Sequence, residues 1–186
     1  DEVRQGWRFI QAEDRLLMPV IADSNAFARD SADQAWDVAE SAALNGLQQA
    51  AHLATMVSPM LSCEDAWHVA NLARAIDPQA VLGVGPVPYD GDDQTMQDGF
   101  VIRAEKAPHT RGVRRVLESF GGPVLEASGF EAALRKDDSI VGVLLTGNYP
   151  SQWVTPQFRE AIGEGRFVVM LDTLPNSLTE RSNVLL

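Results

Sequence analysis

The sequence predicts an α/β fold in three layers, a mostly parallel sheet with helices on both faces. Three observations carry this. Residues 140–147 form an apolar run, IVGVLLTG, that closes on a Gly-Asn turn. A second apolar run, FVVML at 167–171, ends at Asp172, with a helical stretch between the two. Two buried strands joined through a helix make a βαβ unit, and parallel strands need such a crossover and are covered on both faces. Along the remaining chain, helical and strand patterns alternate, which is the signature of an α/β layer architecture.

In chain order, the first 29 residues read as an irregular arm that packs on a body, with Pro19, the polar cluster Asp23-Ser24-Asn25 and scattered aromatics. Residues 30–186 read as one α/β domain. Ser31 and Gln34 have capping-box spacing, and Ala35, Val38, Ala39, Ala42 and Ala43 recur at helical spacing, so a helix is placed over about 31–46. Residues 51–57 form a weak strand pattern ended by Ser58-Pro59. Ser62 then caps a helix whose first turn holds Glu64 and Asp65, favourable at its positive end. Ala66, Val69, Ala70, Ala73 and Ile76 give that helix one apolar face, and Asp77-Pro78 stops it.

Residues 81–84 read as a short strand, 85–99 as a long acidic loop or lid, and Phe100 to Arg103 as a brief strand. Pro108 and Thr110 open another helix with Val113, Val116, Leu117 and Phe120 inward, closed by Gly121-Gly122. Ser128 and Glu131 form a second capping-box spacing ahead of Phe130, Ala133 and Leu134. Thr155 caps the crossover helix, with Pro156 in its first turn.

Composition narrows the function classes. The 186 residues suit one domain with a real core. A net charge of −11, from 26 acids against 15 bases, disfavours nucleic acid and anionic membranes as partners, because phosphate neutralisation needs a basic face. No apolar run approaches the ~20 residues of a membrane helix. The lone cysteine, Cys63, cannot by itself hold an iron–sulfur cluster or structural zinc, and the composition suits a reducing compartment. Asp1 is not an initiator methionine and Leu186 closes an apolar run, so the chain reads as a piece of a longer one.

Candidate chemistry gathers where the two strong strands end. In open α/β sheets ligands sit at the carboxyl ends of strands, here around Gly147-Asn148 and Asp172-Thr173. Backbone amides at Gly147-Asn148 can meet a phosphate, or the pair is a turn that tolerates positive φ. Asp172 can bond a ribose hydroxyl or cap the turn that follows it. Gly83 and Gly85 resemble half of a dinucleotide fingerprint, but Pro88 stands where the third glycine belongs, so this pair reads as structural. Lys106, His109, Arg111, Arg114 and Arg115 fit an acidic partner or, more simply, a solvated helix face.

His52, His68 and His109 have no second ligand at metal spacing, and Cys63 with His68 lacks an orienting group for nucleophilic work. The acids at 90–93 lack the order of a calcium loop. Trp7, Trp36, Trp67 and Trp153 read as half-buried anchors. No catalytic constellation and no metal site emerge from these residues.

Three stretches carry a family resemblance. Asp14-Arg-Leu-Leu-Met-Pro-Val20 followed by Ala35-Trp36-Asp37 forms the first, and Ser58-Pro-Met-Leu-Ser-Cys-Glu-Asp-Ala66 the second. The third is Leu144-Leu-Thr-Gly-Asn-Tyr-Pro150, then 167–172, then Ser182-Asn-Val-Leu-Leu186. They resemble the opening segment, the S-n-E-e helix start and the G-x-N-P … f-v-V-x-D … A-D-V-V-L-P ending of the molybdopterin oxidoreductase superfamily. Glu105-Lys-Ala-Pro108 with Arg111-Gly112 is similar, more narrowly, to the large iron–sulfur subunit of bacterial NADH:quinone oxidoreductase, respiratory complex I.

The resemblance implies a Rossmann-like part of a molybdopterin oxidoreductase domain. In active members, the positions matching Gly147, Asn148 and Asp172 lie near the pterin dinucleotide. In the large iron–sulfur subunit of complex I that domain has lost the cofactor and acts as scaffold. This chain departs from the pattern at Tyr149, inserted into G-x-N-P, at Asn176-Ser177-Leu178 in place of T-E-T, and at Ser182-Asn183 in place of A-D. The departures favour scaffold, with Gly147, Asn148, Asp172 and Thr173 as vestigial cofactor-binding positions.

On that reading the piece binds no cofactor, the parent protein carries iron–sulfur clusters, and electron transfer happens elsewhere in it. The partners are other domains of the same subunit and other respiratory-complex subunits. The location is the cytoplasm, or the cytoplasmic face of the inner membrane within a peripheral arm. The alternatives are part of an active molybdopterin-dependent oxidoreductase of formate dehydrogenase or nitrate reductase type, or a free-standing nucleotide-binding module without a redox role.

Overall fold

Two strands at the centre of the sheet, β2 (Leu53–Val57) and β7 (Gly142–Thr146), are buried at every residue, as runs of Val, Leu, Met and Ala in a sheet covered on both sides require. The computed structural model describes residues 11–22 and 32–186, with side chains from residue 35 onward in the second stretch. Its strands are β1 (Val20–Ile21), β2, β3 (Val81–Val84), β4 (Gln94–Thr95), β5 (Val101–Ile102), β6 (Val124–Glu126), β7, β8 (Phe167–Leu171) and β9 (Val184–Leu185). The helices are α1 (Ala32–Ala50), α2 (Cys63–Ile76), α3 (Thr110–Glu118), α4 (Ala127–Lys136) and α5 (Pro156–Ile162), with a 3-10 turn at Thr179–Arg181.

The main sheet has the order β1-β9-β8-β7-β2-β3-β6, parallel throughout except for β1, which runs antiparallel to β9. From β2 the chain winds outward through β3 to β6. It then returns to β7, on the other side of β2, and winds the opposite way through β8 to β9. This is a doubly wound sheet whose strand order reverses between β2 and β7. Residues 142–146 pair with 167–171 in parallel register, so the βαβ unit expected from the sequence is present.

Alternation along the strands sorts the core into two layers. Leu53, Val57, Leu82, Leu144 and Val169 face α3, which presents Val113 and Leu117, and α1 and α2, which present mainly alanines: Ala39 and Ala43, then Ala66, Ala70 and Ala73. Small side chains let these helices lie close to the sheet, and Gly46 goes further, because a Cβ there would overlap the Phe167 ring. Met56, Val143, Leu145 and Met170 face the other layer, filled by Phe130 and Leu134 of α4 and by Phe158 and Ile162 of α5. Burying Phe130 completely contributes on the order of 2–3 kcal/mol by apolar area.

Several expectations shift. Helix α1 runs to Ala50 rather than ending near 46, and its proposed cap, Ser31 with Gln34, lies outside the described side chains. Strand β6 breaks the pattern expected at 128. It runs straight into α4, which begins at Ala127 with Glu126 at its cap and no side-chain capping bond, so Ser128 lies inside the first turn. The segment 85–99 is not one loop. Gln94–Thr95 pairs with Val101–Ile102 in a two-stranded hairpin. The described part of the amino-terminal arm, residues 11–22, packs Leu16 and Val20 on the core and adds β1 to the sheet.

Candidate functional site

The strand order reverses between β2 and β7, so a ligand of a doubly wound sheet is expected over Ser58-Pro59 and Gly147-Asn148. Protein groups occupy that position. The Thr146 hydroxyl, buried, accepts the Ser58 amide at 2.8 Å and donates to the Met56 carbonyl at 3.5 Å, stitching the two strand ends together. Tyr149 follows, also buried, and its hydroxyl donates to the Pro86 carbonyl at 2.7 Å. Burial drives this phenol well above its ordinary range, and the nearby Asp172 carboxylate adds to the effect. The Tyr149 ring rests against Trp153, with centroids 5.3 Å apart.

At the end of β8, Asp172 is 8% exposed and its carboxylate is fully engaged. Oδ1 accepts the amides of Asn148 at 2.9 Å and Thr173 at 2.8 Å. Oδ2 accepts the Trp153 indole N–H at 2.8 Å and the Asn176 side-chain amide at 2.9 Å. Four donors saturate the four acceptor positions of a carboxylate. Gly147 makes the arrangement possible, since a Cβ there would lie within the carboxylate. Asn148 takes the left-handed conformation, φ 68°, that turns its amide toward Asp172. Thr173 Oγ1 donates to Asn148 Oδ1 at 3.4 Å. The four positions singled out from the sequence therefore meet at one place: Asn148, Asp172 and Thr173 bond to one another, and Gly147 lies against the Asp172 carboxylate.

The helix start nearest the reversal carries no phosphate cradle. Ser62 Oγ caps α2 by accepting the Asp65 amide at 3.0 Å and donating to the Asp65 carboxylate at 2.9 Å. Glu64 and Asp65 already place negative charge on the first turn. Two recesses flank Tyr149 and Trp153. One, of about 200 Å³, has Asp14 and Asp172 as its charged lining, an environment that repels a pyrophosphate. The other, of about 300 Å³, lies between Pro86–Pro88 and Tyr149–Trp153, with Lys106 at its edge. That lysine donates to the Arg103 carbonyl at 2.9 Å.

The remaining candidates do not converge on this edge. Gly83 is packed against Phe130, and the chain after Gly85 enters the hairpin rather than a helix, so this glycine pair is structural. Arg114 pairs with Glu126, the His109 ring bonds the Leu61 carbonyl at 2.9 Å, and Arg111 and Arg115 lie exposed on α3. Cys63 is half-buried against Gly112, and His68 meets the Trp67 ring edge-on at 5.1 Å. Asp93 is engaged by Arg103 and the Ala104 amide, and these bonds hold its carboxyl below the usual carboxylate range. Among the described residues no group of three metal-ligating side chains occurs, and no helix is long and apolar enough to cross a membrane.

Sequence reasoning missed the parts of Tyr149, Trp153 and Asn176. An indole N–H deep in a core demands an acceptor, so Trp153 carried a usable signal. Tyr149 and Asn176 carried none beyond their departure from the family pattern. Comparison of the chain with family models, with curated proteins and with solved structures returns no match.

Proposed function

We propose that this chain is a scaffold portion of a molybdopterin-oxidoreductase-like domain in a NADH:quinone oxidoreductase subunit, with no chemistry of its own. The observation that carries the reading is the saturated Asp172. In active members of the family it resembles, the matching position lies near the pterin nucleotide, whereas here all four acceptor positions are taken by the protein's own N–H groups. Tyr149, Asn176, Ser182 and Asn183, which depart from the family pattern, each have structural work. Tyr149 covers the point of strand reversal, and Asn176 holds Asp172. Ser182 donates to the Leu178 carbonyl at 2.9 Å, and Asn183 accepts the Val168 amide at 2.8 Å. The partners on this reading are the other domains of the same subunit and neighbouring respiratory-complex subunits, in the peripheral arm at the cytoplasmic face of the inner membrane. Iron–sulfur clusters reside in the parent protein outside this stretch.

The test is the composition of the whole gene product purified from its native host. Iron is expected, with no stoichiometric molybdenum or tungsten and no guanine nucleotide released on denaturation. One molybdenum or tungsten per chain would instead establish the active-oxidoreductase alternative. The isolated chain is expected to melt at the same temperature with and without millimolar GDP. A ligand at 100 times its Kd would add about 2.7 kcal/mol of stability, an easily seen shift.

A further inference from the structure

The arm formed by residues 88–106 is built without a core. Every residue from Pro88 to Phe100 is exposed. Its shape is set by polar bonds: Asp90 N–H to the Ala104 carbonyl at 2.8 Å, Lys106 N–H to the Pro88 carbonyl at 2.8 Å, and Met96 N–H to the Phe100 carbonyl at 2.7 Å. Asp93 braces the legs through the Arg103 guanidinium at 2.6 Å and the Ala104 amide at 2.8 Å. A two-stranded hairpin with no apolar face is marginal on its own, so its large apolar side chains are not there to fold it. Yet Tyr89 is 68% exposed, Phe100 64% and Met96 51%. Aromatic residues and methionine are the side chains enriched at protein interfaces.

Charge restricts the occupant. Asp90, Asp92 and Asp98 flank these apolar side chains, and none has a cationic partner among the described residues. A second copy of this chain, with a net charge of −11, brings repulsion to such a contact. We propose that the arm is a docking element that inserts Phe100 and Met96 into an apolar socket rimmed by lysine or arginine on a different protein chain. A hairpin already braced by these bonds has less conformational freedom to lose on docking than an unstructured loop, and acids around an apolar tip steer it to a basic rim. This inference goes beyond the scaffold reading and stands or falls separately from it.

The test places photoreactive p-benzoylphenylalanine at Phe100 of the full-length gene product in its native host, with a second version carrying it at exposed Glu164 as control. The expected result is an adduct from position 100, absent from 164, mapped by mass spectrometry to another protein, at a peptide where lysine or arginine borders apolar residues. The triple change Asp90→Asn, Asp92→Asn, Asp98→Asn is expected to lower that adduct's yield at least 5-fold. No adduct, an adduct to a second copy or back to this chain, or a yield indifferent to the triple change would overturn the proposal. Phe100→Ser in the isolated chain is expected to leave the melting temperature unchanged. A clear fall would mean that Phe100 serves the fold, and it too would overturn the proposal.

Discussion

Strand β8 is bracketed by two ions that are neutralised in opposite ways. At its start Arg166 donates to the carbonyls of Ile140 at 2.7 Å, Ile162 at 2.7 Å and Leu134 at 2.7 Å. Two of these carbonyls, Leu134 and Ile162, belong to the last turns of α4 and α5, where carbonyls lack helical partners and the dipole is negative. At the strand's end Asp172 takes only N–H donors. Among the described residues, neither has an opposite charge within ion-pair distance. The difference lies in burial: Arg166 is half-buried and Asp172 is buried. Water can replace lost carbonyl bonds at the first far more readily than it can reach four stranded donors at the second. A residue that knits an edge together and one that offers itself to a ligand are thus told apart by how many of its bonding positions remain open, not by its place on the sheet.

That contrast can be broken most forcefully at Asp172. Asp172→Ala is expected to cost about 3–5 kcal/mol in urea denaturation, because it strands several buried N–H donors at about 1–3 kcal/mol each before the site relaxes. A loss below about 1.5 kcal/mol would mean that the four donors find water and the edge is open. Gly147→Ala comes next, at about 1–3 kcal/mol for forced overpacking. In an Asp172→Ala background the obstruction is gone, so the same change should cost less by at least about 1 kcal/mol, read as a coupling energy in a double-mutant cycle.

Arg166→Met, which keeps the stem and drops the guanidinium, is expected to cost about 1–2 kcal/mol, less than Asp172→Ala because solvent reaches the carbonyls. The reverse ranking would sink the comparison. The smallest effect concerns acid. Asp77 caps the end of α2, where it bonds the Leu53 amide at 3.0 Å, the Gln79 amide at 2.8 Å and the His52 ring at 2.8 Å. Burial opposes its ionised form, but these bonds outweigh burial and leave the carboxyl below its ordinary value. A lowered folded-state pKa gives stability that is present above the unfolded value, near 3.9, and is lost as pH falls through the folded one. Asp77→Asn should therefore lower the melting temperature at pH 6, with the gap to the unaltered chain narrowing steadily below pH 4.

Much of this architecture was legible in the chain because it depends on burial alone. Strands β7 and β8 are unbroken apolar runs, and α2 carries its own start and stop in Ser62 and Asp77-Pro78. What escaped is short or joined end to end. Strand β6 has three half-covered or exposed residues at one edge of the sheet, β1 has two half-covered ones at the other, and β9 is only two buried residues between β1 and β8. Such pieces become strands only because a neighbour offers a ladder, which no local pattern records. The candidate edge divides likewise. Gly147, Asn148, Asp172 and Thr173 were found, since strand ends announce themselves. Their occupation by Trp153 and Asn176 was hidden, because these reach Asp172 from 19 residues before it and 4 after it. Tyr149 was visible as an oddity, but the Pro86 carbonyl it bonds lies 63 positions away.

Fastening β8 at both ends has a kinetic corollary. Its interior amides sit between two parallel neighbours, with no frayed terminus from which local opening can start. In deuterium the amides of Val168, Val169 and Met170 are expected to exchange only when the entire molecule unfolds, so their rates would report global stability directly. The hairpin at 94–102, held by its own few bonds, should exchange orders of magnitude sooner, giving one molecule both a slow clock and a fast one.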